Sequence, residues 1–242
     1  MALFKKSDSK DVNAMKALEA ELEKLKSTTK ALQAELKKSK TELEETKRAL
    51  AEALKKNEVK KPAPPKAKTI KDGHEYVDLG LPSGVKWATC NVGANKPEEF
   101  GDYFAWGETK PKKEYTYENS KTYAKERNDF SASARYDVAR VSWGGGWRMP
   151  TQEEAYELIE KCSWVKTKQN GICGYRTEGP NGNSIFIPCA GYRRNERLVF
   201  DNSMMCCWTS TPDDWCHASS LSSQTVSSLT REIGLPVRPI IK

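Results

Sequence analysis

The chain has 242 residues, which is enough for one or two domains, and its 40 Lys and Arg against 33 Asp and Glu give a formal charge of +7. Composition is uneven, because all seven tryptophans and all nine tyrosines follow residue 70, whereas the first 70 residues are rich in Lys, Glu, Ala and Leu. We therefore expect two parts and no membrane insertion, since no run approaches the roughly 18 apolar residues that a membrane span requires.

The basic charge does not indicate a nucleic-acid partner. Its excess lies in a Pro/Lys segment and in lysines interleaved with glutamates, which is typical of a solvated helix face, and no basic stretch has aromatics placed for base stacking. No apolar segment follows the basic residues Lys5 and Lys6, so we expect synthesis in the cytoplasm without a signal peptide. The seven cysteines are then expected to be reduced thiols.

A heptad repeat predicts a parallel coiled-coil stalk over residues 11–58, after a flexible N-terminus of residues 1–10. The four-three spacing of the a and d positions never slips, and no Gly or Pro interrupts the stretch. Glutamates at g and lysines at e are complementary only between chains that run in the same direction. These charged positions are Glu21, Glu35 and Glu42 with Lys26, Lys40 and Lys47.

The stalk is expected to form a homo-oligomer, with a trimer favoured and a dimer as the alternative. Leucine at both a and d does not fix the number of chains, and Thr29, Ser39 and Thr46 weaken the seam. A single helix packed on the globular part is the other interpretation, which the narrow apolar seam disfavours. The oligomerisation residues would be Met15, Leu18, Leu22, Leu25, Leu32, Leu36, Leu43 and Leu50.

A Pro/Lys linker, residues 59–70, separates the stalk from the head, residues 71–242. In the head, residues 74–93 predict two short strands around a turn at residues 81–84, and residues 103–106 form a third apolar piece. Residues 110–135 carry too much charge and too little periodicity for a core, so we expect a surface excursion there.

The clearest helix start in the head is Pro150 followed by Thr151 and Glu154, which have the spacing of a capping box. Later apolar segments, such as residues 184–189, are joined by turns that contain Gly and Asn, as in an antiparallel sheet. The fold class is therefore expected to be α+β, with a short antiparallel sheet and one or two helices in the head, preceded by the long helix.

Six segments of the head carry a resemblance to a known family: residues 72–94, 101–109 (GDYFAWGET), 146–151 (GWRMPT), 179–188, 190–193 and 234–239 (GLPVRP). The head resembles the Fibrobacter succinogenes major paralogous domain, and the resemblance covers nearly all of it but not the heptads. It implies a C-type lectin-like fold, related to the variable proteins of diversity-generating retroelements. The family is abundant in gut Bacteroidetes and their phages, which implies a virion or another surface-displayed assembly.

The same resemblance implies a ligand-binding face near the C-terminus, for a protein or glycan ligand on a cell surface. Trp208 resembles a scaffold tryptophan of the family. Met205 and Trp215 depart from the residues that randomised adenine-rich codons usually give. Either the chain belongs to a relative that binds one unchanging ligand, or it uses no retroelement. The candidate contacts are Arg194, Asn195, Arg197, Met205, Cys207, Asp213, Asp214, Trp215, His217, Thr230 and Arg231.

No catalytic residue, metal site or cofactor is expected. The calcium motifs of sugar-binding lectins do not occur, and the adjacent Cys206 and Cys207 cannot both face one zinc ion from a strand. Formylglycine-generating enzymes share the implied fold and use two cysteines, but His74 and His217 are the only imidazole bases here and no third group orients them. A structural component of a larger assembly, without its own ligand, is the alternative function.

Overall fold

A computed structural model of the chain describes residues 7–58 and 69–242, and the side chains of residues 12–50 and 69–242. The chain divides into two compact units, Met1–Lys66 and Ala67–Lys242, which are taken in turn below. The predicted flexible N-terminus and linker fall mostly outside the described residues. Residues 7–10 are nevertheless helical, and residues 69–70 belong to the first strand.

The first unit contains one helix, α1, Ser7–Glu58. Its 52 residues correspond to a length of about 78 Å at the usual rise per residue. The a and d side chains form an exposed apolar stripe on the single chain; for example, Leu22 is 53% exposed and Leu18 is 64% exposed. No helix in the described part of the chain is both long and apolar enough to cross a membrane.

The second unit, the head, is a mixed fold of two short helices and small antiparallel sheets, so the predicted α+β class is confirmed. The described strands form a four-stranded sheet β1-β2-β3-β12, two three-stranded sheets, β4-β5-β6 and β11-β10-β9, and the pair β7-β8. Their bounds are β1 Thr69–Lys71, β2 His74–Asp78, β3 Lys86–Ala88, β4 Ser163–Gln169, β5 Ile172–Glu178, β6 Ser184–Pro188, β7 Tyr192–Arg194, β8 Arg197–Val199, β9 Cys206–Pro212, β10 His217–Ser222, β11 Thr225–Thr230 and β12 Ile240–Ile241.

Both ends of the head lie in one sheet. The predicted strand pair around the turn at residues 81–84 is present as β2 and β3, with Val77 opposite Trp87. The last strand, β12, then pairs with β3 and sets Ile240 opposite Trp87. The first and last strands of the head therefore form the two opposite edges of this sheet.

Two helices lie in the head, α2 Val138–Trp143 and α3 Gln152–Lys161. The predicted capping box at the start of α3 is confirmed: the Thr151 hydroxyl accepts the Glu154 N–H, and Glu154 Oε2 accepts the Thr151 N–H at 2.9 Å. Ala155 and Leu158 are buried, as expected for the inner face of this helix. The sequence analysis did not predict α2, whose N-cap is Asp137.

The core of the head lies in two main clusters on either side of β9. Cys207 packs into the first cluster, with Leu158 of α3 and Ile187 of β6. Trp208 packs into the second, with Trp106. Because both faces of β9 are covered, its residues do not alternate between buried and exposed positions.

Residues 110–135 contain no helix or strand, but they are not wholly the surface excursion that the sequence predicts. Tyr115 is 1% exposed, and its hydroxyl donates a hydrogen bond to the Tyr103 carbonyl oxygen. Phe130 packs beside Trp106, with 4.5 Å between ring centroids. This segment therefore supplies side chains to the core while its charged residues stay outside.

Candidate recognition face

The loop between β9 and β10 presents Trp215 to solvent; we call this loop, together with the first residue of β10, the Trp215 loop (residues 213–217). Trp215 is 66% exposed, the largest exposed fraction among the large hydrophobic side chains of the described residues. The Asp214 carboxylate fixes the loop, because its Oδ1 accepts the N–H groups of Cys216 and His217, each at 2.6 Å. The His217 Nδ1 lies 2.9 Å from Asp214 Oδ2. These interactions, led by the Cys216 N–H, lower the pKa of Asp214.

Arg231 supports the Trp215 loop from inside the head. Its guanidinium donates hydrogen bonds to the carbonyl oxygens of Asp214 and His217. It also donates to the Thr122 and Lys125 carbonyl oxygens and stacks over the Trp106 ring at 4.2 Å. Burial lowers the pKa of this guanidinium, and the carbonyl oxygens around it supply the hydrogen bonds that a buried cation requires. One side chain thus fixes the loop to the residue 122–125 segment.

The hairpin β7–β8 forms the neighbouring part of the surface. Arg194 and Arg197 are opposite each other in its register, and both are exposed. Asn195 lies at the turn with φ of 54°, a conformation that Asn adopts more readily than most residues. Its backbone N–H and carbonyl bond to Tyr115, each at 2.9 Å, which fixes the turn against the body of the head. A cavity of about 470 Å³ opens beside it, lined in part by Arg193 and Glu196.

Thr230 joins the hairpin to the Trp215 loop. It lies opposite His217 in the β10–β11 ladder, and its hydroxyl lies 3.5 Å from Arg194 Nη2. Arg194 Nη2 is also 3.9 Å from Oε1 of the buried Glu232. The surface therefore runs without a break from Arg194 through Thr230 and His217 to the Trp215 loop. We call this surface the recognition face.

Two tyrosines that the sequence analysis did not select extend the recognition face. The Tyr117 and Tyr123 rings lie 4.8 Å apart, and Tyr117 is half exposed. A side-chain hydrogen bond with Cys216 raises the pKa of Tyr123 to about 12. Both residues lie in the polar segment of residues 110–135. Scattered aromatics among charged residues give no helix or strand periodicity there, so the sequence pattern did not single them out. Arg231 brings that segment to the loop.

Three of the candidate contacts lie inside the head and are removed from the set. Met205, which directly precedes β9, and Cys207 of β9 are 0% and 1% exposed because both pack into the first core cluster. Arg231 is 1% exposed, with its guanidinium turned inward as described above. The remaining candidates are exposed or partly exposed: Arg194, Asn195, Arg197, Asp213, Asp214, Trp215, His217 and Thr230.

The two adjacent cysteines of β9 are buried thiols. Cys206 Sγ lies 3.0 Å from the Gly191 carbonyl oxygen, and burial raises its pKa well above the usual value. Burial also raises the pKa of Cys207 to about 11. A nucleophilic cysteine needs a thiolate that substrate can reach, so these two thiols do not fit that role. Trp208 is 1% exposed and donates its indole N–H to the Phe104 carbonyl oxygen, which agrees with a scaffold position.

Comparison with known proteins adds no relative. No protein-family model, curated protein or solved structure matches this chain. Within residues 7–58 and 69–242, no three His, Cys, Asp or Glu side chains come together as a group that could hold a metal ion. The assignment of a function therefore rests on the geometry of the head.

Proposed function

We propose that the head is a non-catalytic recognition domain of the C-type lectin-like kind, related to the Fibrobacter succinogenes major paralogous domain, and that it binds a protein or glycan on a cell surface. The observation that carries this proposal is the Trp215 loop. A large aromatic side chain stands in solvent on a loop whose polar groups are tied down by Asp214 and Arg231. Exposed aromatic anchors on rigid supports bind partners at low entropic cost.

Arginines and aromatics around Trp215 suit this role. Arg194 and Arg197 are exposed beside the loop, and Tyr117 is half exposed near it. Tryptophan, tyrosine and arginine are the residues that most often dominate binding energy at protein interfaces. The two exposed carboxylates of the loop, Asp213 and Asp214, can accept hydrogen bonds from sugar hydroxyl groups or from donors on a protein.

The stalk extends the proposal to several heads. The exposed apolar stripe of α1 favours a parallel coiled coil, with a trimer as our first expectation and a dimer as the alternative. Joining weak sites on one stalk raises the apparent affinity for a surface that carries many ligands. The family resemblance further suggests a virion or another surface-displayed assembly as the setting.

The test is binding of the labelled full-length chain to arrays of glycans and to a panel of bacterial cells. Trp215→Ala should reduce binding at least about tenfold. Truncation of a central aromatic anchor usually costs roughly 2 kcal/mol or more of binding free energy. Tyr156→Ala is the matched control, because Tyr156 is an exposed aromatic on α3. Its loss should leave binding unchanged, and both variants should keep the unfolding temperature of the parent.

Equal binding by the parent and the Trp215→Ala variant would contradict the recognition face. Two results together would favour the structural alternative. The unmodified chain would bind no glycan and no cell, and the Trp215→Ala variant would fail to enter a larger assembly that the unmodified chain enters. In that case the exposed tryptophan would serve as a docking residue between components.

A further inference from the structure

A second cavity of the head has a different character from the recognition face. Its volume is about 390 Å³, and its walls come from the turn at residues 107–109, the segment of residues 121–127 and the residues that precede α2. Four cations line it, with one carboxylate and one tyrosine: Lys121, Lys125, Arg127, Arg135, Glu108 and Tyr136. We call this cavity the basic pocket.

The positive charge of the basic pocket is not neutralised within the described residues. Glu108 is already engaged, because its Oε1 accepts the Lys112 ammonium at 3.1 Å and the Lys121 backbone N–H at 2.9 Å. None of the four lining cations forms an ion pair with a described carboxylate. Arg127 Nε is buried and has no hydrogen-bond partner in the described part of the chain. Native proteins rarely leave such a donor unpaired, so water or a bound ligand is expected to supply the acceptor.

Two guanidinium groups are held together on one aromatic ring. The Arg127 guanidinium carbon lies 4.8 Å from the Tyr136 ring centroid, and that of Arg135 lies 5.1 Å from the same centroid. Attraction to the ring offsets part of the repulsion between the two like charges. A guanidinium is planar and donates paired N–H groups, which matches the oxygen atoms of a carboxylate, sulfate or phosphate group.

Both walls of the basic pocket are fixed before any ligand arrives. On one side, the buried Arg231 holds the Lys125 carbonyl oxygen at 2.8 Å. On the other side, Asp137 directly follows Tyr136, and its carboxylate accepts the N–H groups of Ala132 at 2.7 Å and Met149 at 2.8 Å. A preformed site loses little conformational entropy when it binds.

We propose that the basic pocket binds a small molecule, or a terminal sugar residue, that carries a carboxylate, sulfate or phosphate group. The anionic group lies against Arg127 and Arg135, and the rest of the molecule fills the space near Tyr136. A cavity of about 390 Å³ is larger than an inorganic anion needs and lies at the small end of ligand sites, which suits a molecule the size of a monosaccharide. The basic pocket adjoins the recognition face through the segment of residues 121–127, but its lining residues are not among the residues of that face, and the proposal does not rest on the proposed function.

Calorimetric titration of the full-length chain at low salt tests the proposal. The ligands are sodium sulfate, sodium phosphate, glucuronate, glucose 6-phosphate and, as the neutral control, glucose. We expect an anionic sugar to bind with a dissociation constant of roughly 10⁻⁴–10⁻³ M and glucose not to bind. Comparing the inorganic ions with the two anionic sugars shows whether the anion alone suffices and which anionic group is preferred. Affinity should fall as salt is added, because salt screens charge attraction.

Variants locate the site. Arg127→Gln with Arg135→Gln should weaken binding at least about tenfold, because it removes both guanidinium forks. The matched control, Lys166→Gln with Lys168→Gln, removes the same charge from exposed positions on β4 and should bind like the parent. Unfolding curves without ligand establish that each variant is folded. If the arginine variant does not fold, Lys121→Gln with Lys125→Gln replaces it, since both side chains are exposed. It removes two of the four lining charges and should also weaken binding, by less than the arginine variant.

Three results would overturn the proposal. The first is that no anion binds at low salt. The second is that the folded pocket variants bind as tightly as the parent. The third is an equal loss of binding in the β4 control, which would mean that the anions respond only to the net charge of the chain.

Discussion

At the scale of single residues, the position of Trp215 depends on the carboxylate of Asp214. That carboxylate accepts two backbone N–H groups of the Trp215 loop and contacts the His217 ring, whereas Asp213 beside it makes no side-chain hydrogen bond to a described residue. The two residues carry the same charge and are both exposed. They therefore separate the effect of loop geometry from the effect of charge.

We expect Asp214→Ala to loosen the Trp215 loop and Asp213→Ala to leave it unchanged. Loss of the carboxylate frees the N–H groups of Cys216 and His217, so their amide hydrogen exchange should become roughly tenfold faster. Hydrogen exchange followed by mass spectrometry measures this. Equal exchange in the two variants would show that the Asp214 carboxylate does not order the loop.

Acid provides an independent check on the same interaction. The hydrogen bonds to the ionised carboxylate hold the pKa of Asp214 below its usual value, so they stabilise the loop above the unfolded-state pKa of Asp. This stabilisation is lost as the pH falls through the lowered folded-state pKa. The protection factors of Cys216 and His217 in the parent should thus approach those of the Asp214→Ala variant only well below about pH 4.

At the scale of elements, the stalk gives the clearest test, because its a and d positions are exposed on the single chain and would be buried in an oligomer. Leu36 is at an a position and is 57% exposed on the single chain, whereas Ala34, two residues earlier, is at an f position on the outer face of a coiled coil. An oligomer would bury Leu36 but not Ala34. The two positions lie in one turn of α1 and occupy different faces of the helix.

We expect Leu36→Asp to convert the full-length chain from a trimer or dimer into single chains. Removal of a buried leucine costs roughly 2–5 kcal/mol, and a charge in the seam adds to this. Ala34→Asp introduces the same carboxylate on the outer face and should keep the oligomer. Sedimentation equilibrium gives the masses. A parent that sediments as one chain at every concentration would rule out the coiled coil.

Local sequence signals predicted some elements correctly and others not. The capping box of Thr151 and Glu154 was predictable because both partners lie within one helical turn. The short helix α2 was missed, since six residues carry little periodic signal and its cap depends on Asp137, which also bonds to the distant Met149. Local signals succeed where the physical partners are neighbours in the chain.

The recognition face could be predicted only in part, for the same reason. Trp215 and its neighbours were selected because the sequence resemblance implies a ligand-binding face near the C-terminus, and most of them are exposed. Cys207 was misplaced because β9 is buried on both faces, so alternation gives no information, and Met205 was misplaced because the residue that precedes β9 is also buried in the core. The inward position of Arg231 depends on carbonyl oxygens more than 100 residues earlier in the chain, which no local pattern shows.

At the scale of the whole molecule, the chain joins a helix with an exposed apolar stripe to a head with an aromatic-rich face. A face of this kind gains most from multiple copies, because each added contact with the same surface acts at a high effective concentration. The central claim is therefore that identical weak sites act together on one stalk.

The most direct test is binding of the full-length chain to surfaces that carry a glycan or cell-surface protein found to bind in the first screen, at high and at low density. We expect the parent to bind the dense surface about 10²-fold more tightly than the Leu36→Asp variant, and the two to approach each other on the sparse surface. Trp215→Ala should lose binding at both densities. If the Leu36→Asp variant binds the dense surface as tightly as the parent, the stalk does not combine the heads and the central claim is wrong.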